Sequence, residues 1–144
     1  MMRSVAILAA LAALSACAGE MELSPAQAIS MSAPTASVVA RAETAPVGTA
    51  NADAADDPAI WRNPADPSAS LVIGTDKKAG IYVYGLDGGQ KSFIAAGDIN
   101  NVDLRDGVMV NGKPSILVAA SDRTDRANAK LALFTLDPSS AALT

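Results

Sequence analysis

The chain has 144 residues, a formal net charge of −4 and no histidine, and its one cysteine is Cys17. These facts exclude Ser-His-Asp triads, histidine-dependent phosphatase chemistry, His-ligated zinc and internal disulfides. The chain has no basic stripe, so we expect no nucleic-acid partner.

Residues 1–17 have the pattern of a signal peptide. Arg3 precedes an apolar run from Val5 to Leu14, which is too short to span a bilayer. The sequence Leu14-Ser15-Ala16-Cys17 resembles a bacterial lipobox, in which Cys17 is lipidated, and ordinary cleavage beside this cysteine is the alternative. We therefore expect an exported protein, either a periplasmic or cell-surface lipoprotein or a secreted one. Its only membrane contact would be a lipid anchor at Cys17.

Residues 18–52 predict a flexible linker, because they are rich in Ala, Ser, Thr and Pro and nearly lack large side chains. Such a linker would serve as a stalk that holds a domain away from a membrane. The alternative is a remnant of the leader without a role.

From residue 53 onward, short apolar runs alternate with turn signals. Asp87-Gly88 and Asn111-Gly112 are typical of hairpin turns, and Asp106-Gly107 predicts a break within a strand. No helix is convincing in this region, so the pattern indicates an all-β sandwich, barrel or propeller. The predicted strands are 70–75, 81–84, 91–96, 102–110, 115–120 and 129–136.

Two stretches of this region resemble each other. Residues 71–77 and 116–123 both consist of an apolar strand, small residues, an aspartate and a basic residue. Each is followed by a strand that ends in Leu-Asp, at Leu86-Asp87 and Leu136-Asp137. Their separation of about 45 residues falls in the range of one propeller blade. A chance similarity between two hairpins is the alternative.

Two acidic clusters offer oxygen ligands. The first runs from Asp53 to Trp61, with adjacent carboxylates at Asp56 and Asp57 before Pro58, and the second is Asn100-Asn101-Val102-Asp103-Leu104-Arg105. Hard oxygen donors of this kind suit calcium. The alternatives are a simple turn or cap for the first cluster and a loop with a surface ion pair for the second.

Three basic residues follow predicted strands. Lys77 and Lys78 come after the first strand, and Arg123 comes after a buried one. Ammonium and guanidinium groups at strand ends are suited to bind phosphate. The alternatives are a solvated hairpin tip for the lysines and a surface salt bridge for Arg123.

Taken together, these clusters resemble the N-terminal portion of the bacterial β-propeller phytase (3-phytase) family. The order and spacing agree from about Asp53 to Leu136. The matching motifs are Asp56-Asp57-Pro58-Ala59-Ile60-Trp61, Gly74-Thr75-Asp76-Lys77-Lys78, Asn100-Asn101-Val102-Asp103-Leu104-Arg105 and Ala119-Ala120-Ser121-Asp122-Arg123.

The resemblance implies a β-propeller, six-bladed in that family, with residues 53–144 covering about the first two blades. It implies a calcium-dependent enzyme that hydrolyses phytate (myo-inositol hexakisphosphate) and lower inositol phosphates with an attacking water, and that is a monomer when complete. By resemblance, Asp56, Asp57, Asn100 and Asp103 would hold calcium, Lys77 and Arg123 would be catalytic, and Lys77, Lys78 and Arg123 would bind substrate phosphates.

Two blades do not close a ring, and an open partial propeller exposes strand edges. We therefore expect a truncated piece of the enzyme, with little or no activity alone and with its remaining ligands beyond Thr144. A calcium-dependent lactonase is a rival interpretation, but a lactone has no phosphate for Lys77 and Arg123 to meet. A non-catalytic propeller lipoprotein is the second rival.

Overall fold

The computed structural model describes Ser24, Ala28 and residues 37–144, and the predicted signal segment with Cys17 lies outside them. No helix among the described residues is long and apolar enough to cross a membrane. The strands are β1 (Ala55–Trp61), β2 (Leu71–Asp76), β3 (Gly80–Gly85), β4 (Gln90–Ala95), β5 (Ile99–Val110), β6 (Lys113–Asp122), β7 (Lys130–Asp137) and β8 (Ala142–Leu143), with a 3-10 turn at Pro67–Ala69.

The unit Val39–Thr144 is built from two antiparallel sheets of four strands each. Their strand orders are β1-β2-β3-β4 and β5-β6-β7-β8, so each sheet is a simple meander. The repeated stretches at 71–77 and 116–123 fall on β2 and β6, the second strand of each sheet. The all-β prediction is confirmed, and the two sheets correspond to two successive propeller blades.

The core lies between the sheets, because alternate side chains along each strand point to the same face. Ile73, Ile81 and Val83 of the first sheet are fully buried, and they belong to one cluster with Val118 and Ala120 of the second. Ile73 lies opposite Val83 in the register of β2 and β3, so these two side chains share the inner face.

The outer face of the first sheet is covered by residues 43–49, which we call the strap. Tyr82 and Tyr84 point to this face, and they are only 6% and 2% exposed. The amide of Gly48 donates to the Tyr82 hydroxyl at 2.8 Å, and the amide of Ala45 donates to the carbonyl of Gly88 at 2.8 Å. This cover explains why every position of β3 is buried.

The strap falls inside residues 18–52, the range for which the sequence predicts a flexible linker. The boundaries of the signal, linker and propeller segments themselves stay predictions. The hydrogen bonds of Ala45 and Gly48 show that the part of the predicted linker nearest the propeller contacts the first sheet.

The outer face of the second sheet is uncovered in the described part of the chain. Leu131 and Leu133 are 74% and 60% exposed. Leu133 lies opposite Ala119, and Thr135 lies opposite Leu117, so the part of this face that β6 and β7 form is largely apolar. An uncovered apolar face is the surface on which a further propeller blade would pack.

Three strand predictions need correction. No strand was predicted over β1, because its Asp-Asp-Pro sequence is untypical of strands, but proline is tolerated at the edge of a sheet. β5 begins at Ile99 rather than at residue 102, and it continues through 106–107 as one strand with a register shift. No strand was predicted over β8, because its two residues are too few to produce a pattern.

Candidate functional site

One end of the two sheets collects the predicted functional residues, and we call it the site end. The start of β1 pairs with the end of β2, and the start of β5 pairs with the end of β6. The hydrogen bond between Asp57 and Val102 shows that these two ends lie beside each other. Asp56 and Asp57 lie at the start of β1, Lys77 and Lys78 follow β2, Asn100 and Asp103 lie on β5, and Arg123 follows β6.

Asp57 links the two sheets at the site end. Its Oδ2 accepts a hydrogen bond from the amide of Val102 in the second sheet at 3.1 Å. Its own amide donates to Thr75 Oγ1 at 3.0 Å, and the Thr75 hydroxyl donates back to the Asp57 carbonyl at 3.3 Å. Thr75 is 2% exposed, so the backbone that presents the Asp57 carboxylate is firmly held.

A β-bulge shapes the second sheet at the same end. The register of β5 and β6 shifts between Asn100 and Val102, and Asn101 has a φ of 47°. Asparagine is one of the few residues that adopt this left-handed conformation readily. The Ser121 hydroxyl donates to the Asn100 carbonyl at 2.6 Å and holds the bulge against β6. Bulges of this kind commonly redirect side chains next to active sites.

Arg123 is anchored without a carboxylate. Its backbone amide donates to the Asp98 carbonyl at 2.9 Å, and one guanidinium nitrogen donates to Asn100 Oδ1 at 2.9 Å. None of the three ion pairs among residues 37–144 includes Arg123, so the predicted alternative of a surface salt bridge is wrong. The remaining guanidinium donors of this exposed side chain are available to an anion.

Lys77 has two acidic partners. Its ammonium lies 2.9 Å from Asp53 Oδ1 and 3.3 Å from Asp56 Oδ1. The hydrogen bond with Asp53 raises the pKa of Lys77, and the same bond lowers the pKa of Asp53. Lys78 is exposed, and its backbone amide donates to the buried carboxylate of Asp76 at 3.0 Å. Lys77 is thus paired with two carboxylates, whereas no ion pair among residues 37–144 includes Lys78.

The four predicted calcium ligands provide oxygen donors of the type that calcium prefers. The Asp57 carboxylate contacts the bulge directly, and Asn100 lies within the bulge. Asp103 Oδ1 accepts from the amide of Leu104 at 2.7 Å, and its side chain lines a shallow pocket with Arg105 on the outer face of the second sheet. Asp103 and Arg105 share that face as predicted.

No three acidic side chains among the described residues are grouped so as to hold a metal ion. Calcium takes six to eight oxygen ligands. Asp57 and Asn100 fit part of such a coordination shell by chemistry and placement. The calcium assignment of all four residues therefore stays a prediction.

No individual role was predicted for Asp53, Thr75 or Ser121, although Asp53 begins the first acidic cluster. Asp53 pairs with Lys77, Thr75 supports Asp57, and Ser121 supports the bulge. Asp53 stands three residues before Asp56, and this spacing was a visible signal. Thr75 and Ser121 precede the aspartates of the two repeated stretches, which was the only hint of their roles.

Comparisons with known proteins find similarity to one family. A family model described as Phytase matches residues 3–144. The curated 3-phytase of Bacillus subtilis (strain 168) is 46% identical over 91 residues, which are 63% of this chain and 24% of the relative. The chain thus spans about a quarter of the length of this curated relative.

Proposed function

The chain belongs to the phytase family, and on that basis we propose that it forms part of a calcium-dependent phosphatase that releases phosphate from phytate and lower inositol phosphates. The observation that supports this proposal most strongly is the matched placement of Lys77 and Arg123. Each follows the second strand of its sheet, and both stand at the site end.

Lys77 and Arg123 bind phosphate groups of the substrate in this proposal. Ammonium and guanidinium groups form charge-assisted hydrogen bonds with phosphate oxygens, and arginine does so with two parallel donors. Arg123 has no carboxylate partner in the described region and is exposed. The bond from Arg123 to Asn100 Oδ1 orients the guanidinium, so its position is set before substrate arrives.

The acidic residues of the site end need cations before they can accept a phosphate-rich ligand, because bare carboxylates repel it. We propose that Asp56, Asp57, Asn100 and Asp103 take part in holding calcium there. Bound calcium would screen the carboxylates, polarise the phosphoryl group and lower the pKa of a bound water. The protein residues hold and orient the groups, with Asp57 fixed by Thr75 and Val102.

The experiment is to express the whole reading frame that encodes this chain and to measure phosphate release from phytate, once with calcium and once with a chelator. We expect release with calcium and a loss of at least about tenfold with the chelator. Equal release in both conditions would contradict the calcium proposal. An absence of release despite phytate binding would favour the non-catalytic propeller protein.

We also propose export, with lipidation at Cys17, from the lipobox-like sequence that precedes it. Growth of the source bacterium with labelled palmitate should label the wild-type protein, and Cys17→Ser should remove the label. Exported but unlabelled wild-type protein would instead identify ordinary secretion.

A further inference from the structure

Asp53 holds an unusual position at the site end. Its side chain is 89% exposed, yet its carboxylate lies 2.9 Å from the ammonium of Lys77, whose side chain is only 16% exposed. Most of the Lys77 side chain is thus sheltered, and Asp53 is the more exposed of its two acidic partners, since the Asp56 side chain at 3.3 Å is 25% exposed. Neither the predicted metal ligands nor the predicted phosphate ligands include Asp53.

The backbone on both sides of Asp53 is anchored to the first sheet. The amide of Thr49 donates to Oδ2 of the fully buried Asp76 at 3.2 Å. The carbonyl of Ala54 accepts from the amide of Lys77 at 2.8 Å, and Ala54 is 3% exposed. Asp53 therefore stands in a short connection fixed at both ends, which brings its carboxylate to Lys77.

A carboxylate and a phosphate are both oxyanions that bind an ammonium through its N–H donors. We propose that Asp53 is an internal competitor that occupies the Lys77 ammonium until a phosphate group of the substrate displaces it. An ion pair whose carboxylate is open to solvent suits this role, because water competes for the carboxylate and the pair is weak enough to be exchanged. The inference rests on the proposed function, since it takes Lys77 to be a phosphate ligand.

The test uses the full chain labelled with ¹⁵N and titrated with inorganic phosphate, with the shift of the Lys77 amide as the signal. Asp53→Asn should tighten the phosphate dissociation constant by about two- to fivefold, the range set by the weakness of exposed ion pairs. Asp53→Glu should retain the wild-type constant, because it retains a carboxylate. Asp87→Asn is the matched control, since Asp87 pairs with Lys91 at the opposite end of the sheet.

Asp53→Asn also removes a negative charge, which could strengthen phosphate binding without any competition for Lys77. This general charge effect is tested by repeating Asp53→Asn in a Lys77→Ala background, with the shift of the Arg123 amide as the signal. Competition for Lys77 predicts that Asp53→Asn no longer tightens phosphate binding in this background, whereas an equal gain in affinity would overturn the proposal. Unchanged or weaker binding by Asp53→Asn would also overturn it. If phosphate binding needs Lys77 but ignores Asp53, only this inference fails. If phosphate shifts neither Lys77 nor Arg123 in any variant, the proposed function fails with it.

Discussion

Asp57 combines a structural contact with a proposed role as a calcium ligand. Its carboxylate stands at the site end among the predicted calcium ligands, and the same group accepts the Val102 amide across the gap between the sheets. Val102 is 4% exposed, so its amide has little access to water. The hydrogen bond therefore secures the bulge of the second sheet to the first strand of the first.

Replacing Asp57 with alanine should destabilise the fold by about 1 to 3 kcal/mol, because the buried Val102 amide is left without an acceptor. Urea denaturation measures this change. Asp103→Ala is the control, since the Asp103 carboxylate accepts only from the amide of the next residue, and it should change stability by less than about 0.5 kcal/mol. Equal losses in the two variants would contradict the bridging role.

Asp137 offers a test of the turn that follows β7. Hydrogen bonds from Ser140 and Ser139 lower the pKa of Asp137 from 3.8 to about 2. Because the folded-state pKa is depressed, the contribution of this turn to stability is complete above about pH 4 and is lost as the pH falls through about 2.

Carboxyl ¹³C NMR should show Asp137 titrating near the depressed value in the wild-type protein. Ser140→Ala should raise the pKa of Asp137 toward the ordinary value, because it removes the largest cause of the shift. A wild-type Asp137 that titrates at the ordinary value for aspartate would contradict this turn geometry.

At the scale of elements, the strap makes the two sheets unequal. It covers the outer face of the first sheet, where Tyr82 and Tyr84 are buried, while the corresponding face of the second sheet exposes Leu131 and Leu133. Gly88 is needed for this contact. It has a φ of 79°, and an added Cβ would stand 1.8 Å from the Glu43 carbonyl oxygen.

Gly88→Ala should therefore displace the strap as well as strain the turn. Gly112→Ala is a close control, because its φ of 76° is nearly the same and an added Cβ meets nothing within 4 Å. We expect Gly112→Ala to lower the free energy of unfolding by about 1 to 2 kcal/mol, and Gly88→Ala to lower it further. Hydrogen exchange should show lost protection at Ala45 only in Gly88→Ala. Equal losses of stability and of protection at Ala45 in the two variants would mean that the strap contributes nothing to the stability of the fold.

The elements differ in how far their sequence predicts them. β2, β3 and β6 follow from apolar runs bounded by turn residues, and the repeat relates β2 to β6. The strap was not predicted because its residues have no periodic pattern and are held by hydrogen bonds that their backbone amides donate. These hydrogen bonds depend on the tertiary placement of the strap beside the first sheet, which a sequence pattern does not predict.

The site shows the same limit. The sequence indicates the end of the sheets where Lys77 and Arg123 stand, because both follow strands of a recognisable repeat. It does not indicate that Arg123 bonds Asn100 while Lys77 bonds Asp53. These pairings depend on a bulge and on an anchored connection, whose geometry is fixed by tertiary contacts.

At the scale of the whole molecule, the two sheets form one core and should unfold together. Ile73 is fully buried in a cluster that includes residues of both sheets, whereas Leu133 is 60% exposed. Ile73→Ala should lower the free energy of unfolding by about 2 to 5 kcal/mol, and Leu133→Ala should change it by less than about 0.5 kcal/mol. Fluorescence of Trp61, the one tryptophan, reports the transition from within the core. Two separate transitions would contradict a shared core.

The central claim is that Lys77 and Arg123 bind substrate phosphates at the site end. The most direct measurement places residues 53–144 in the 3-phytase of Bacillus subtilis in exchange for its matching segment, and determines kcat/KM for phytate with calcium. Lys77→Ala and Arg123→Ala should each lower kcat/KM by about 10- to 100-fold, because a charge-assisted hydrogen bond is lost. Lys91→Ala and Arg62→Ala, at the opposite end of the sheets, should leave it unchanged. An active chimera that is insensitive to Lys77 and Arg123 would contradict the claim.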